Sequence, residues 1–227
     1  MLKNQASQLG LQLGLFTSTG NPIMLRHLAI PLLVLAVSPL LAADKSEKKV
    51  AKPGKATVVK VKDITLSVPS TWKQEKSTSR LRAGQFKLPA VAGDKEGAEL
   101  VIYFFGGAGG GADANIRRWI GQFQSGGRKM KVLRGESAQG PYLLLDLSGT
   151  YNKPIGPPIQ RRTKPMPGAR MLAVILSIKG KGNYFLKLTG PNKTVTAAAS
   201  QLRVSFGADP KKETSYEANS KKGEQEK

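Results

Sequence analysis

The chain has 227 residues, no cysteine and a formal charge of +21, from 36 Lys and Arg against 15 Asp and Glu. The missing thiols exclude thiolate catalysis, cysteine zinc sites, thioether haem attachment and disulfide staples. The single histidine, His27, falls in an apolar leader, so serine–histidine triads, imidazole zinc ligands and histidine general bases are excluded from the rest of the chain as well.

Residues 1–43 read as a leader with a secretory signal peptide at 24–43. Arg26 supplies its positive region, Leu28 to Val37 its apolar stretch, and Leu41-Ala42-Ala43 a small-residue cleavage site. The apolar run is too short for a transmembrane helix, which needs about 20 such residues. Translation begins at Met1 or Met24. Asp44 stands where a lipoprotein would need cysteine, so the mature protein is expected to be periplasmic or secreted, with no lipid anchor and no transmembrane segment. Residues 44–56 form a solvated basic linker.

A single domain is expected over 57–208, a typical single-domain length. It holds 24 basic and 8 acidic residues, so the positive excess belongs to the folded part, and a field of that sign attracts polyanions. Thr57–Val61 and Ile64–Val68 are short β-branched runs, and Val68-Pro69-Ser70-Thr71-Trp72 leaves the second through a turn that brings Trp72 to the core edge. Arg80–Leu88 and Ala98–Phe105 read as the next strands. Gly106 to Gly111 then leads into a helix opened by Asp113 as N-cap. Ile116, Trp119, Ile120 and Phe123 follow i, i+3, i+4, i+7 and make one buried stripe, and Ser125-Gly126-Gly127 stops the helix.

Met130–Ala138 and Tyr142–Tyr151 form a hairpin around Gln139-Gly140-Pro141. In its second arm Leu143, Leu145, Leu147 and Gly149 share one face, with Asp146 opposite beside Leu144 and Ser148. Asn152–Gly168, with five prolines plus Arg161, Arg162 and Lys164, shows no periodicity and is expected to be a long loop, of the kind often functional or mobile. Arg170–Ile178, apolar on both faces, reads as a central strand, and Tyr184–Leu188 as another. Pro191 opens a second helix with the stripe Val195, Ala198, Ala199, Leu202 and Phe206. Residues 209–227 are expected to be a disordered polar tail. Strand pairs joined by short turns favour an antiparallel sheet; with two helices packed on it, the fold class is α+β.

Gly107-Ala108-Gly109-Gly110-Gly111-Ala112 formally matches a dinucleotide-binding fingerprint, between a strand and a helix. Three features oppose it. The repeated β-α units of such folds are missing after residue 131. Asp113 would set a carboxylate where the pyrophosphate must sit. An exported protein would also rarely meet this cofactor. A P-loop is excluded separately, because no Gly-Lys-Ser/Thr follows the glycines. No nucleotide cofactor, other cofactor or metal is therefore expected, and no catalytic residue is assigned. The remaining chemistry is carboxylate, lysine, tyrosine or serine–lysine chemistry. Glu136 and Asp146, on adjacent arms of the hairpin, are the one pair placed to serve as a two-carboxylate hydrolase centre; with so many cations nearby, ordinary ion pairing is the favoured reading of both. Three basic groups are candidates for an anion- or partner-binding face if they converge: Arg117 and Arg118 on the first helix, Arg128, Lys129 and Lys131 beyond it, and Arg161, Arg162 and Lys164 in the proline-rich segment.

The element order, together with Val68-Pro69-Ser70-Thr71-Trp72 and Leu188-Thr189-Gly190-Pro191 leading into a last helix that ends Val204-Ser205-Phe206, resembles the PsbP-type fold over roughly residues 57–207. That fold is shared by an extrinsic photosystem II subunit and a Ran-binding nuclear-import factor. The Ala114 to Phe123 helix is also similar to that of a group of uncharacterised exported bacterial proteins. The resemblance implies an antiparallel sheet sandwiched by two helices, acting as a non-catalytic binding or assembly module, and transfers no functional residue. The sequence is thus expected to encode an exported binding module that docks through a basic surface on a protein partner or an anionic envelope component. The alternative is a carboxylate-dependent hydrolase acting on an extracytoplasmic polymer.

Overall fold

The computed structural model describes residues 55–217, apart from Thr78, Ala108 and the side chain of Pro158. The leader, most of the basic linker and the end of the tail lie outside the described residues.

Two β-structures and two helices follow one another in an α+β order. Strands β1 (Ala56–Val61) and β2 (Ile64–Pro69) form a separate antiparallel hairpin. The main sheet has eight strands: β3 (Lys73–Gln74), β4 (Arg82–Leu88), β5 (Ala98–Phe104), β6 (Lys129–Ser137), β7 (Gly140–Pro154), β8 (Thr163–Ile178), β9 (Gly182–Pro191) and β10 (Thr214–Ser215). Its spatial order is β10-β6-β7-β8-β9-β5-β4-β3, antiparallel throughout. Helix α1 (Ala112–Ile120) lies between β5 and β6, and α2 (Asn192–Ser205) follows β9.

Because side chains alternate along a strand, each central strand feeds two cores. On one face Leu144, Leu172, Val174, Leu186 and Leu188 pack with Val195, Leu202 and Phe206 of the α2 segment, and with Ile64, Leu66 and Trp72 of the hairpin segment. On the other face Leu145, Leu147, Met171, Ala173 and Phe185 pack under Ile116 and Trp119 of α1 and the following Phe123. Trp119 meets Phe185 edge-on at 6.2 Å between centroids, a favoured aromatic arrangement. The expected stripe therefore buries as a set, but the helix ends at Ile120. Phe123 lies beyond it and bridges Tyr151.

The hairpin is fastened to the sheet by polar contacts at its turn end. Tyr184 Oη donates to Asp63 Oδ2 at 2.7 Å and accepts from the Asp63 N–H at 3.1 Å. Gln139 mimics a backbone strand: its amide accepts from Thr65 N and donates to Thr65 O, both at 2.8 Å.

Three expectations are corrected. First, Asp113 is not the N-cap of α1. Gly111 holds that position without a side-chain cap, and Asp113 accepts instead from Tyr216 Oη at 3.2 Å. Second, the proline-rich segment is not a loop but the extension of β7 and β8 into a two-stranded arm, closed by a 3-10 turn at Pro158–Gln160. Beyond Ala169 strand β8 has a partner on one side only, the situation in which proline, lacking an N–H, is tolerated in a ladder. A bulge lies where the arm leaves the sheet. Gly149 and Tyr151 oppose Ala169 and Met166, so β8 carries one extra residue there, and Gly168 takes φ +65, which suits glycine. This resets the alternation and puts Met166, rather than Pro167, over the α1-side core.

Third, the polar tail does not begin at 209. Ala208 bridges Ser137, a 3-10 turn spans Pro210–Lys212, and β10 pairs with Leu133 and Arg134 of β6, so the fold runs past the expected boundary at 208. Glu213 accounts for this. It accepts a two-pronged pair of bonds from Arg203 of α2 at 2.7 and 3.0 Å and a third from Tyr142 Oη at 2.9 Å. Arg203 and Glu213 are nearly buried, with 11% and 6% of their side chains exposed. Removing one partner leaves the other charged and desolvated. Glu213→Ala is expected to lower stability by about 3–5 kcal/mol, read by denaturant unfolding, whereas a truly disordered tail would make the change silent.

Candidate functional site

Helix α1 is nine residues long and covers only part of its face of the sheet. One part left open lies over β4, β5 and β9, bounded by the base of the β7–β8 arm, and forms a groove of about 550 Å³. Ladder register shows why its floor is polar. Val101 of β5 stands opposite Lys187 of β9, and Glu99 opposite Thr189, while Arg82 and Lys87 of β4 stand opposite Tyr103 and Glu99. The intervening Leu100, Ile102, Leu186 and Leu188 point to the α2-side core. Alternation thus turns Arg82, Glu99, Lys187 and Thr189 into one field. Tyr151 and Met166 form the wall at the arm, and Lys153 and Glu96 close the rim with a 2.8 Å ion pair.

Within the groove the carboxylates are already engaged. Arg82 Nη1 donates to Glu99 Oε1 at 3.1 Å and to Gln85 Oε1 at 2.7 Å. Gln85 in turn donates to Glu75, which pairs with Lys87 at 2.8 Å. Lys187 has no carboxylate within ion-pair distance among the described residues. Its Nζ donates to the neutral Gln122 Oε1 at 3.2 Å, a residue in the segment after α1. Burial is the main cause of a fall in its pKa from the usual lysine range to about 8; Glu99 opposes that fall and Arg82 adds to it. The same apolar surroundings push Tyr103 up and Tyr151 up to about 12. Thr189 Oγ1 is buried without a hydrogen-bond partner.

The three basic groups that would make an anion- or partner-binding face if they converged do not converge on one face. Arg117 and Arg118 are exposed on α1, where Arg118 donates to Asn115 Oδ1 at 3.1 Å. Arg128 is structural: its Nη1 donates to the Ile120 and Phe123 carbonyls at 3.2 and 3.3 Å, satisfying acceptors at and just beyond the end of α1. Lys129 and Lys131 are exposed on β6 near the Arg170–Asp146 pair on the α2 side. Arg161, Arg162 and Lys164 are exposed at the end of the arm. The groups therefore divide between both faces and the arm, rather than converging.

The glycine-rich turn also proves to be structural. The buried Asn115 amide donates to the Gly109, Gly110 and Gly111 carbonyls at 2.8, 3.4 and 3.0 Å. The turn thus presents carbonyl oxygens to a neutral donor, and a phosphate cradle would need the opposite polarity. Glu136 and Asp146 do not approach each other. Glu136 stands opposite Pro141 and Asp146 opposite Lys131, five ladder steps or about 17 Å apart. They face opposite sides of the sheet, and Arg170 grips Asp146 through two bonds of 2.8 and 2.6 Å. Among the described residues no group of three carboxylates is placed to hold a metal ion, and no helix is long and apolar enough to cross a membrane.

No known protein family matches the chain, and a search of curated proteins returns no significant similarity.

Lys187 was not singled out in the sequence. The alternation Leu186-Lys187-Leu188 does place it on the face opposite two leucines, but its burial depends on Gln122, Tyr103 and Tyr151, all remote in the chain. Its titration provides a test. A lysine charged in both states at pH 7 destabilises the fold; above pH 8 the folded state releases the proton first, so stability rises until the unfolded chain also titrates near 10.5. The facing groups are Glu99, Arg82, Tyr103, Tyr151, Lys153 and Arg118, and the two tyrosines with raised pKa act in the opposite sense above pH 10. Between pH 7 and 9.5 unfolding free energy is expected to gain about 1–2 kcal/mol in the wild type relative to Lys187→Met, measured by urea unfolding of both proteins. Parallel pH profiles would refute the assignment.

Proposed function

We propose that this protein is an exported binding or assembly module whose fold is a PsbP-like sandwich, and that it docks on an anionic partner through the β7–β8 arm. A helix on each face of one antiparallel sheet, with Trp72 buried after the first hairpin, supports that architecture. The reading of export rests on residues 24–43. The observation that carries the docking role is the arm. It is a paired, projecting element that presents Arg161, Arg162 and Lys164 in the exposed state beside Ile159, which is 90% exposed.

None of these three cations has a carboxylate partner among the described residues, whereas Glu75, Glu96, Glu99, Asp146 and Glu213 are each held by a Lys or Arg elsewhere. Arg161 also takes φ +48, a left-handed conformation that costs an L-residue about 1 kcal/mol or more. An exposed apolar tip ringed by cations suits an anionic envelope polymer or an acidic protein face. The alternative of a two-carboxylate hydrolase is not supported, since Glu136 and Asp146 lie on opposite sides of the sheet.

The wild-type protein is expected to bind immobilised heparin with a steep salt dependence. Replacing Arg161, Arg162 and Lys164 with Gln is expected to lower the slope of log affinity against log salt by about one per lost cation, with the melting temperature unchanged. Replacing Lys129 and Lys131 with Gln serves as the control for charge alone. Equal losses from the two variants would remove the arm from the docking role.

A further inference from the structure

We infer that the groove between the base of the arm and strands β4, β5 and β9 binds a small monocarboxylate with an apolar body. This site is separate from the arm tip, so its test is independent of polyanion docking.

The groove, at about 550 Å³, has the volume of an ordinary small-molecule site. At its floor Lys187 and Thr189 project from the same side of one strand, two residues and about 7 Å apart. Lys187 is a partly buried cation with only a neutral acceptor, Gln122. Thr189 carries a hydroxyl that is buried and has no partner. Buried polar groups are almost always satisfied, and one ligand group satisfies both of these: a carboxylate accepts from the ammonium and from the hydroxyl. Such charge-assisted bonds are the strong ones. Binding would also favour the charged form of Lys187, which burial now disfavours.

The rest of the lining sets the ligand's shape and charge. Val101, Tyr103, Tyr151 and Met166 supply apolar surface above the floor. Glu99 stands beside Thr189 with its charge paired to Arg82, and Glu96 stands at the rim paired to Lys153. A second anionic group would meet Glu96 at the rim, so dicarboxylates and phosphates are selected against. A medium-chain or aromatic acid satisfies every feature.

Octanoate, 1-octanol and octylamine titrated into the full chain at pH 7, followed by calorimetry, test this. Octanoate is expected to bind 1:1 and about tenfold or more tighter than octanol or octylamine, the range of one charge-assisted bond. Lys187→Met is expected to remove that preference, and Thr189→Val to weaken octanoate severalfold. Octanoate affinity is expected to fall between pH 7 and 9.5 as Lys187 loses its proton. The Lys129→Gln/Lys131→Gln variant is expected to bind octanoate as the wild type does. Equal binding of octanoate and octanol would overturn the proposal, as would no saturation in the millimolar range. So would a folded Lys187→Met protein that binds octanoate normally. If Lys187→Met fails to fold, Thr189→Val and the pH profile decide.

Discussion

The whole structure depends on covering a sheet that is apolar on both faces. Strand β8 shows the constraint most clearly: Leu172, Val174 and Leu176 feed one core while Met171, Ala173 and Ile175 feed the other, and all are nearly or fully inaccessible. Such a strand is stable only with a roof on each side. On one face the roof is complete, because the fourteen-residue α2 shares it with the β1–β2 hairpin. On the other face the nine-residue α1 reaches only part of the sheet. Unequal roofing leaves an open floor over β4, β5 and β9. There the inward positions change from leucine and methionine to Arg82, Glu99, Lys187 and Thr189.

Electrostatics follows from the same geometry. With far more cations than carboxylates, each acid in the domain has several potential partners, and the structure places the acids where they hold elements together. Asp94 is the clearest case. Its Oδ2 accepts from the Thr194 N–H at 2.8 Å and hydroxyl at 2.7 Å, capping α2 from a loop about a hundred residues away, where the N-terminal Pro191 gives no side-chain cap. Glu213 joins α2 to β7, and Asp63 joins the hairpin to β9. Structural use of the acids leaves the arm's cations unneutralised, so the basic character of the surface is a by-product of how the core is fastened.

The parts of this architecture that were legible in the sequence are those governed by local periodicity. The 3.6-residue stripes of α1 and α2 and the two-residue alternation of β7 place Ile116, Val195, Leu145 and Leu147 correctly, and antiparallel pairing follows from the short turns between strands. The arm was illegible because proline marks a loop in any local reading; it is tolerated there only because β8 has lost one neighbour, a fact of topology. Residues 209–217 looked like tail because their polar residues carry no pattern, and Glu213 matters only through Arg203 and Tyr142. Lys187 was hidden for the same reason. Its strand position was legible, but its desolvation arises from residues 36 to 84 positions away that the packing of β5, β7 and the segment after α1 brings around it.

The glycine-rich turn shows how the two kinds of information combine. Its composition suggested an anion cradle, and only the buried Asn115 reveals its polarity. By accepting from that amide, the turn's carbonyls point toward the start of α1 and fix the approach of the chain to the helix. Gly109 also passes so close to Phe185 that a built Cβ would lie 2.5 Å from its ring, which explains a glycine there without any ligand. Phe185 is in turn the residue on which Trp119 rests. The turn, Asn115 and the Trp119–Phe185 contact therefore act as one unit that sets where α1 sits on the sheet. Where α1 sits decides how much of β9 it roofs, and hence that Lys187 lies at the edge of that roof, beneath Gln122 and facing the open groove.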